Sequence, residues 1–492
     1  MDTDLVLSSD FSSRVSVPYL PKTMLSEEEA ATAEWLARRL FDTRADFLLS
    51  GLYYDGLQEM TDLGISIPPE LLGLRQVLGW AQTGVDARDE RLTVQGFRLP
   101  SSTSADEDIW DMWQANNLDE ESPLAHLDAM IYGSSYVVVG AGESKDAQPV
   151  ITVESPLDMT MNWNPRTRKG TAAFQTYVDT DLTSETYGRQ LAALYLIGST
   201  IHMVKGRNGW EIIDRDDYDN LDQLPVVLMA NRTRTRKRMG LSEITPAWRN
   251  TMDRACRTML GMEVAREFFA APQRWIMGAA EDAFQNADGS AVSAWQTYIG
   301  RITALEADDQ GNLPQVGTWE TGDPANFTKL LENERTIMAS LLGVSPQYLG
   351  IFSDGNPASA DAIRMSDFRL KMIADQKTVP FGGTWEDAVR IGLQIRDGKL
   401  PDDAHRLETD WAPTGIPTPA ADTDAITKQI QVGSIPADSD VTLEKLGYSA
   451  VDRARLTNDR KRARGQSNLA ALTGALKPAP VTTEQEPVPD GV

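Results

Sequence analysis

The stretch LGVSPQYLGIFSDGNPASADAIRMSDFRL, from Leu342 to Leu370, decides how the rest of the chain is interpreted. Gly343 can adopt the left-handed conformation that ends many helices, and Pro346 prevents that helix from continuing. A connection rich in Gly, Ser, Asp, Asn and Pro follows, and an amphipathic helical pattern resumes at about Ala358. The stretch therefore predicts a helix end, a loop and the start of a second helix.

The composition is that of a large globular protein. The 492 residues are 41% hydrophobic and 24% charged, which allows several domains with cores of their own. No apolar run reaches the ~18 residues that span a bilayer, and the N-terminus lacks the charged-then-apolar order of a signal peptide. We therefore expect a soluble protein that is not secreted. The single cysteine, Cys256, cannot form an internal disulfide and is expected to be an unreactive helix residue.

The net charge of −25 is unevenly distributed along the chain. Residues 1–130 contain 24 Asp and Glu against 9 Lys and Arg, whereas residues 231–274 contain 4 against 10. Proteins that wrap nucleic acid need basic side chains to neutralise phosphates, so the overall balance disfavours that class. An acidic surface is compatible with DNA that slides past without being gripped, and equally with the solubility of a large assembly.

The first half of the chain predicts an α+β domain of about 230 residues. Ser26 and Glu29 form a capping box at the start of a helix that ends near Gly51. Ser122 begins a second predicted helix, which ends at Gly133. Beyond it the hydrophobic period changes to two, and strands are predicted at Tyr136–Val139, Val150–Val153, Ala172–Val178, Leu191–Ile197, Ile201–Val204, Trp210–Ile213 and Pro225–Met229.

After Gly240 the pattern becomes almost wholly helical. One helix is predicted from Pro246 to about Phe269, and a second from Pro324 to Gly343. The apolar faces predicted for the two helices are Trp248, Met252, Ala255, Met259 and Met262, and Phe327, Leu330, Leu331, Ile337 and Leu341. The insert between them has mixed signals, with a strand predicted at Arg274–Met277 and a short helix around Ser293–Arg301. Two long helices joined by a compact insert predict a stalk with a tip.

Several separated segments carry a resemblance to a known family. They are ERLTVQGFRL (Glu90–Leu99), WQANNLDEESPLAHLDAMIYGSSYVVVG (Trp113–Gly140), ESPLDMTMNWNPRTRK (Glu154–Lys169), WEDAVRIGLQI (Trp385–Ile395) and the Leu342–Leu370 stretch. In this order the segments resemble the portal proteins of tailed bacteriophages, most nearly those of long-tailed phages of actinobacteria. The resemblance covers residues 26 to about 465.

The resemblance implies an α+β portal fold with named regions. These are an α/β wing at 26–240, a stem helix at 241–268, a small α/β clip at 269–323, a second stem helix at 324–342, a tunnel loop at 343–357, a long wing helix with its return segment at 358–419, and a helical crown at 420–465. Pro380, Gly382 and Gly383 are expected to kink or divide the long helix. Residues 1–25 and the proline-containing tail 466–492 are expected to be disordered.

The function implied by the resemblance is structural. Portal subunits form a ring, here expected to be a dodecamer, at one capsid vertex, where it is the channel for DNA packaging and ejection. The implied partners are further copies of the chain, the major capsid protein, the terminase large subunit, a head–tail connector or adaptor protein, and double-stranded DNA; no membrane and no cofactor are implied. The implied location is the virion, with assembly in the host cytoplasm. ATP would be hydrolysed by the terminase, so the chain is not expected to be an enzyme.

Two sets of candidate functional residues follow, besides the stem residues Trp248, Met252 and Met259. The tunnel loop implied by the resemblance places seven candidate residues at the DNA channel: Gln347, Tyr348, Phe352, Ser353, Asp354, Gly355 and Asn356. Tyr348 and Phe352 either face the DNA or anchor the loop against its neighbour; we expect Phe352 to be an anchor and residues 353–356 to be the exposed tip. The alternating arginines Arg232, Arg234, Arg236 and Arg238 would lie on one face of an extended chain. That basic band would contact either DNA phosphates or the acidic wing of a neighbouring subunit, and the sequence leaves both interpretations open.

Catalytic and metal-binding motifs are weak in this sequence. No G-x-S-x-G, P-loop or H-E-x-x-H motif occurs, and His126, His202 and His405 lack partners at metal-ligand spacing. The run YVVVGAG at Tyr136–Gly142 resembles the start of a dinucleotide fingerprint, but a strand hairpin explains it better. The alternatives to a portal are another structural ring of the head–tail junction, such as an adaptor, and a Mg²⁺-dependent carboxylate nuclease.

Overall fold

The structure is a computed structural model that describes most of the chain. The described residues are 25–59, 76–99, 107–142, 144, 147–206, 209–218, 221–269, 274–277, 315–318, 325–350, 360–415, 419–448 and 450–475. The chain divides into two compact units, Met1–Thr414 and Gly415–Val492. None of the helices in these ranges is both long and apolar enough to cross a membrane. Expectations for residues 1–24 and 476–492 lie outside the described residues.

Helices and strands both occur in the first unit, and the described part of the second unit contains helices. The helices are α1 (Glu27–Tyr54), α2 (Trp80–Asp89), α3 (Glu107–Ala115), α4 (Leu118–Tyr132), α5 (Pro246–Phe269), α6 (Ala325–Leu342), α7 (Ala360–Asp397), α8 (Pro419–Gln431), α9 (Asp440–Lys445) and α10 (Ala450–Ala475). The strands are β1 (Val94–Arg98), β2 (Ser134–Gly140), β3 (Val150–Glu154), β4 (Met159–Trp163), β5 (Gly170–Val178), β6 (Gln190–Leu196), β7 (Ser199–Gly206), β8 (Gly209–Asp217), β9 (Val226–Ala230), β10 (Arg274–Met277), β11 (Gln315–Thr318) and β12 (Glu408–Trp411). The α+β class predicted from the sequence is confirmed.

A five-stranded antiparallel sheet in the order β4-β5-β6-β7-β8 occupies the centre of the first half of the chain. Alternate residues of its strands face opposite ways, as the period of two requires. Phe174 and Leu194 pack under Leu36 and Leu40 of α1. The capping box predicted at Ser26 is present, with Glu29 N–H donating to Ser26 Oγ at 3.2 Å.

A three-stranded sheet in the order β3-β2-β9 packs against the other side of the five-stranded sheet. Tyr136 of β2 and Met161 of β4 belong to the apolar cluster between the two sheets. Since β2 and β3 pair antiparallel, the YVVVGAG run is a strand hairpin, as predicted, and not a nucleotide-binding turn. The far side of β2 contributes Val137 and Val139 to a larger core, which includes α4 and α7.

Aromatic side chains of α7 and β12 fill this larger core. Trp385 Nε1 donates a hydrogen bond to Nε2 of His126 at 2.9 Å, and the ring of Phe381 stacks on the imidazole at a centroid distance of 5.2 Å. Burial lowers the pKa of His126 to about 3, so the imidazole is neutral at physiological pH. The strand pair β1 and β12 closes this side, with Trp411 also against the imidazole. His126 is therefore a structural residue.

Helix α7 is not divided at Pro380, contrary to one outcome expected from the sequence. It continues from Ala360 to Asp397 with Pro380 in its interior. Pro380 and Gln376 are exposed, so the carbonyl that loses an N–H partner lies on the solvent side of the helix. Gly382 does not break the helix. It allows close packing, because a Cβ there would lie 3.1 Å from the indole nitrogen of Trp411. Thr409 Oγ1 also donates to the Gly382 carbonyl at 3.1 Å.

The two helices predicted as a stalk, α5 and α6, pack antiparallel. Arg254 of α5 and Glu334 of α6 form an ion pair at 2.7 Å, and Gly261 lies against Phe327. The predicted face of α5 is largely correct, since Trp248, Met252 and Ala255 are buried, whereas Met259 is half-buried. The predicted face of α6 is wrong in part: Leu330 and Leu341 are exposed, and the buried side chains are Met338, Ala339 and Leu342. The face of α6 that is buried near its end therefore differs from the face that the apolar pattern predicted.

Other differences concern element ends and short elements. Helix α4 begins at Leu118, before the predicted start at Ser122, because the acidic residues of its first turn favour a helix N-terminus and Leu118 is buried. Residues 466–475, expected to be disordered, continue α10, where the sequence SNLAALTGA contains good helix formers. The predicted strand Arg274–Met277 is present and pairs with β11, which was not predicted. The short helix predicted around residues 293–301 lies outside the described residues. Helices α2 and α3 and strands β1, β4 and β12 were also missed.

Candidate functional site

The basic run at residues 232–238 folds as a tight turn, not as an extended strand. Arg234 and Lys237 exchange backbone hydrogen bonds of 3.0 and 2.8 Å across Thr235 and Arg236. Arg232 has a positive φ of 47°, which turns the chain before the hairpin. The four arginines therefore do not share one face. We call residues 232–238 the basic hairpin.

Two glycines bring the base of the basic hairpin against the end of α4. Asn231 N–H donates to the carbonyl of Gly133 at 2.9 Å, and Leu241 N–H donates to the carbonyl of Asn231 at 2.8 Å. Gly240, with a φ of 92°, lies so close to the Gly133 carbonyl that a Cβ would overlap it at 1.8 Å. Only glycine fits this crossing, so the hairpin base is held in one position.

Glu243, just after the hairpin, is at the centre of a buried ionic cluster. Its side chain is 5% exposed and accepts a hydrogen bond from Lys377 Nζ at 2.6 Å. Asn231 Nδ2 donates to the same oxygen, Oε1, at 3.2 Å. Arg88 Nε and Arg232 Nη1 approach Oε2 at 3.8 and 3.5 Å. We call these five residues the Glu243 cluster.

The Glu243 cluster connects the stalk helices to the sheets. Arg88 of α2 donates to the carbonyl of Leu342, the last residue of α6, and its guanidinium carbon lies 5.2 Å from the ring centroid of Trp248 in α5. Lys377 belongs to α7, and the Glu243 N–H donates to the carbonyl of Met130 in α4 at 2.9 Å. The Glu243 cluster therefore contacts the ends of α4, α5 and α6 and the middle of α7.

The Glu243 cluster contains three cations but only one carboxylate. Arg88 and Lys377 are buried with one carboxylate between them, and Arg232 is about half exposed. Burial would raise the pKa of Glu243, but Lys377, Arg88 and Arg232 together hold it below its ordinary value. Burial lowers the pKa of both Lys377 and Arg88, and Glu243 opposes that change. The carboxylate is thus the group that allows the two cations to be buried.

Replacing Glu243 with glutamine should destabilise the protein by about 3–5 kcal/mol, because it leaves Arg88 and Lys377 buried without a counter-charge. The measurement is the free energy of unfolding from denaturant titration. Glu332→Gln, at an exposed position of α6, is the matched control and should change stability by less than about 0.5 kcal/mol. A similar small effect for both variants would contradict the central role of Glu243.

The helix end predicted at Gly343 is confirmed. Gly343 has a φ of 70°, and the N–H groups of Gly343 and Val344 both donate to the carbonyl of Ala339, at 2.9 and 3.2 Å. A short 3₁₀ helix, Pro346–Leu349, follows and ends at Gly350 in the left-handed conformation. Left-handed glycines therefore end both helices, α6 at Gly343 and the 3₁₀ helix at Gly350.

Arg91 links the segments on both sides of that loop. Its Nη2 donates to Asp367 Oδ2 of α7 at 3.2 Å and to the hydroxyl of Tyr348 at 3.3 Å, and its Nη1 donates to the carbonyl of Thr414 at 2.8 Å. The Arg91 and Asp367 side chains are only 12% and 9% exposed. Arg91 was not singled out in the sequence, because its three partners lie more than 250 residues away.

The tunnel-loop prediction can be followed only at its first residues. Gln347 and Tyr348 lie in the 3₁₀ helix, where Gln347 is exposed and Tyr348 is 39% exposed with its hydroxyl bonded to Arg91. Tyr348 thus has the contacts of an anchor. Phe352, Ser353, Asp354, Gly355 and Asn356 lie outside the described residues, and their placement stays a prediction.

Exchanging Arg91 for lysine should lower the free energy of unfolding by about 1.5–3 kcal/mol, because lysine keeps the charge but cannot reach three acceptors with a planar fork. Denaturant titration measures this loss. Arg98→Lys is the control: Arg98 pairs with Asp410 at 2.7 Å in a more exposed setting, where we expect a loss below about 1 kcal/mol. Equal losses would show that Arg91 is an ordinary surface arginine.

The remaining candidate residues are dispersed. His202 lies 3.3 Å from Asp216, and His405 is exposed beside the carbonyl of Asp402. Burial raises the pKa of the Cys256 thiol to about 11, consistent with the unreactive residue predicted. Within the described part of the chain, no group of three His, Cys, Asp or Glu side chains could hold a metal ion.

These features define a structural class, an α+β subunit with a helix pair, a long bracing helix and a helical C-terminal unit. Among known families, a model described as "Phage portal protein, SPP1 Gp6-like" matches residues 52–439. The chain belongs to this family, which confirms the resemblance inferred from its separated segments. The family is structural, so the prediction that the chain is not an enzyme is confirmed as well. A phage portal protein is a component of the virion, at the head–tail connection.

Two relatives are similar over nearly the whole chain. The portal protein of Mycobacterium phage L5 is 33% identical over 444 residues, which cover 89% of each chain. The portal protein of Mycobacterium phage D29 is 33% identical over 411 residues, which cover 82% of this chain and 83% of the relative.

Similarity to solved structures is weaker. A chain of the neck of the empty GTA particle, computed with C6 symmetry, is 14% identical with a TM-score of 0.45, and the match covers 75% of this chain and 90% of that one. A chain of the neck of the native GTA particle, computed with C12 symmetry, is 15% identical with a TM-score of 0.41, covering 75% and 89%.

Proposed function

We propose that twelve copies of this chain form a ring at one capsid vertex, through which DNA enters and leaves the head. Membership of the portal family over residues 52–439 is the observation that supports this most strongly. In this proposal α5 and α6 are the stem, residues 269–323 the clip and residues 420–465 the crown. The terminase large subunit and a head–tail adaptor would bind at the clip, and the major capsid protein would surround the ring.

An exposed apolar stripe on α7 supports self-association. Met365, Phe368, Met372 and Val379 are 74%, 55%, 45% and 77% exposed, and their spacing places them on one side of the helix. Leu370 and Ala374 on the opposite side are fully buried. Such a stripe costs solubility unless another surface covers it. Because subunits related by rotation meet through unlike faces, we propose that the stripe packs against a different face of the next copy in the ring.

The purified chain should form a hollow ring, and since each copy weighs 54.2 kDa, twelve copies give about 650 kDa. Light scattering measures the mass and negative-stain microscopy the shape. Changing Met365, Phe368 and Met372 together to glutamine should yield folded protein of lower mass, because the contact between copies loses its apolar part.

The control for this variant is the triple glutamine change at Val178, Leu182 and Tyr187, which are equally exposed at the β5–β6 turn. It should leave the ring intact. Rings formed as readily by the α7 variant would reject the stripe as a contact, and a wild-type monomer would argue against the ring itself.

The basic hairpin is proposed to contact the phosphates of DNA in the channel. Arg234 and Arg236 are exposed, Arg238 is partly exposed, and all three are held on a base fixed by Gly133 and Gly240. Arg232 has a separate role, because it contributes to the Glu243 cluster. The other interpretation, ion pairs with an acidic neighbour, predicts loss of assembly instead of loss of DNA.

Serine at Arg234, Arg236 and Arg238, with Arg232 unchanged, should give rings of normal mass that package or retain less DNA, because phosphate contacts in the channel are lost. The DNA content of particles made with the variant subunit is the measurement. Failure to form rings would assign the hairpin to contacts between subunits. Normal DNA content in normal rings would remove the hairpin from the DNA path.

A further inference from the structure

Helix α10 of the second unit is strongly basic in a chain of net charge −25. Its six cations and two anions give it a net charge of +4 and are Arg453, Arg455, Arg460, Lys461, Arg462, Arg464, Asp452 and Asp459. The side chains described between residues 452 and 466 are all exposed or half-exposed. Burial of an apolar face therefore does not account for this part of the helix.

On one side of α10, two arginines contact Asp438 of the same unit. Arg464 Nη2 donates to Asp438 Oδ2 at 2.9 Å, and Arg460 Nη1 donates to the Asp438 carbonyl at 3.1 Å. Two arginines thus share a single acidic residue. The Arg464–Asp438 pair is 75% and 55% exposed, so it adds little stability and leaves positive charge at the surface.

The other side carries cations that have no ion pair among the described residues. Arg455 and Arg462 lie on one face, two helical turns and about 10.5 Å apart along the axis, whereas Lys461 projects about 100° around the helix from Arg462. All three are exposed. Asp459 lies between the arginines, four residues after Arg455 and three before Arg462, and no ion pair joins it to either of them in the described part of the chain. Exposed cations without an ion pair among the described residues are suited to contacts with a polyanion.

We propose that α10 binds the phosphate backbone of double-stranded DNA without sequence specificity, through Arg455, Lys461 and Arg462. The choice of DNA as the polyanion rests on the proposed function, since a portal subunit works next to packaged DNA. The residues of this surface differ from those of the basic hairpin and lie more than 200 residues later in the sequence. Binding of this kind requires no contacts with the bases, because contacts with the DNA phosphates supply the electrostatic part of the binding free energy.

The test is the binding of the assembled full-length protein to a labelled DNA duplex of random sequence, measured by fluorescence anisotropy at several salt concentrations. Changing Arg455, Lys461 and Arg462 to glutamine should reduce the slope of log Kobs against log salt by about 2 to 3, because each phosphate contact contributes about 0.9. Glutamine has a similar helix propensity, so α10 should persist. Asp459→Asn should act in the opposite direction and tighten binding.

The matched control removes three cations elsewhere. Arg166, Arg168 and Lys169 are exposed at the β4–β5 turn, and their change to glutamine should leave the slope unaltered. An equal reduction for both triple variants, or no measurable binding by the wild type at low salt, would overturn the proposal.

The mass of each variant is measured separately. Loss of the ring by the α10 variant alone would identify the helix as a contact between copies and would also overturn it, whereas a wild type that binds DNA without forming a ring would count against the proposed function only.

Discussion

The carboxylate of Glu243 is the group on which the packing of the first unit depends. It lies among Lys377, Arg88 and Arg232, and through them it joins α2, α7 and the base of the basic hairpin. Two buried cations would be prohibitively costly without it, since an isolated charge in a protein interior loses most of its hydration. Through Arg88, which also donates to the carbonyl of Leu342, the same carboxylate connects the stalk pair to the base of the basic hairpin.

Around that cluster, glycines allow segments of the chain to pack closely against one another. Gly240 crosses Gly133 at a distance that excludes any side chain, and Gly382 leaves room for the Trp411 indole against α7. Arg91 then connects the two segments that flank the predicted tunnel loop, at Tyr348 and Asp367. These contacts hold the described segments of the first unit against one another. Both the exposed stripe of α7 and the basic hairpin extend from this rigid part.

Much of the fold could be predicted from local patterns. The strands from β2 to β9, apart from β4, and the helices α5, α6 and α7 were all predicted close to their observed ends, because each has a clear hydrophobic period and definite Gly or Pro boundaries. The missed elements are short. Strand β12 has only four residues, and its partner β1 lies some 300 positions earlier in the chain, so no window of local sequence contains the pair. Of the two outcomes expected at Pro380, a kink or a division of α7, the division does not occur, because Pro380 is exposed and Gly382 is used for close packing.

The sequence by itself determined the class of fold, the helix end at Gly343, the family resemblance and the structural nature of the protein. These features depend on local conformation or on ordered segments that can be compared directly. Only the tertiary structure identified the Glu243 cluster, the role of Arg91 and the turn that separates Arg232 from the other arginines. The reason is physical: a charged side chain has no local signature of its partner, and Lys377 meets Glu243 from 134 residues away. What such a residue does is decided by the groups that folding brings within hydrogen-bonding distance.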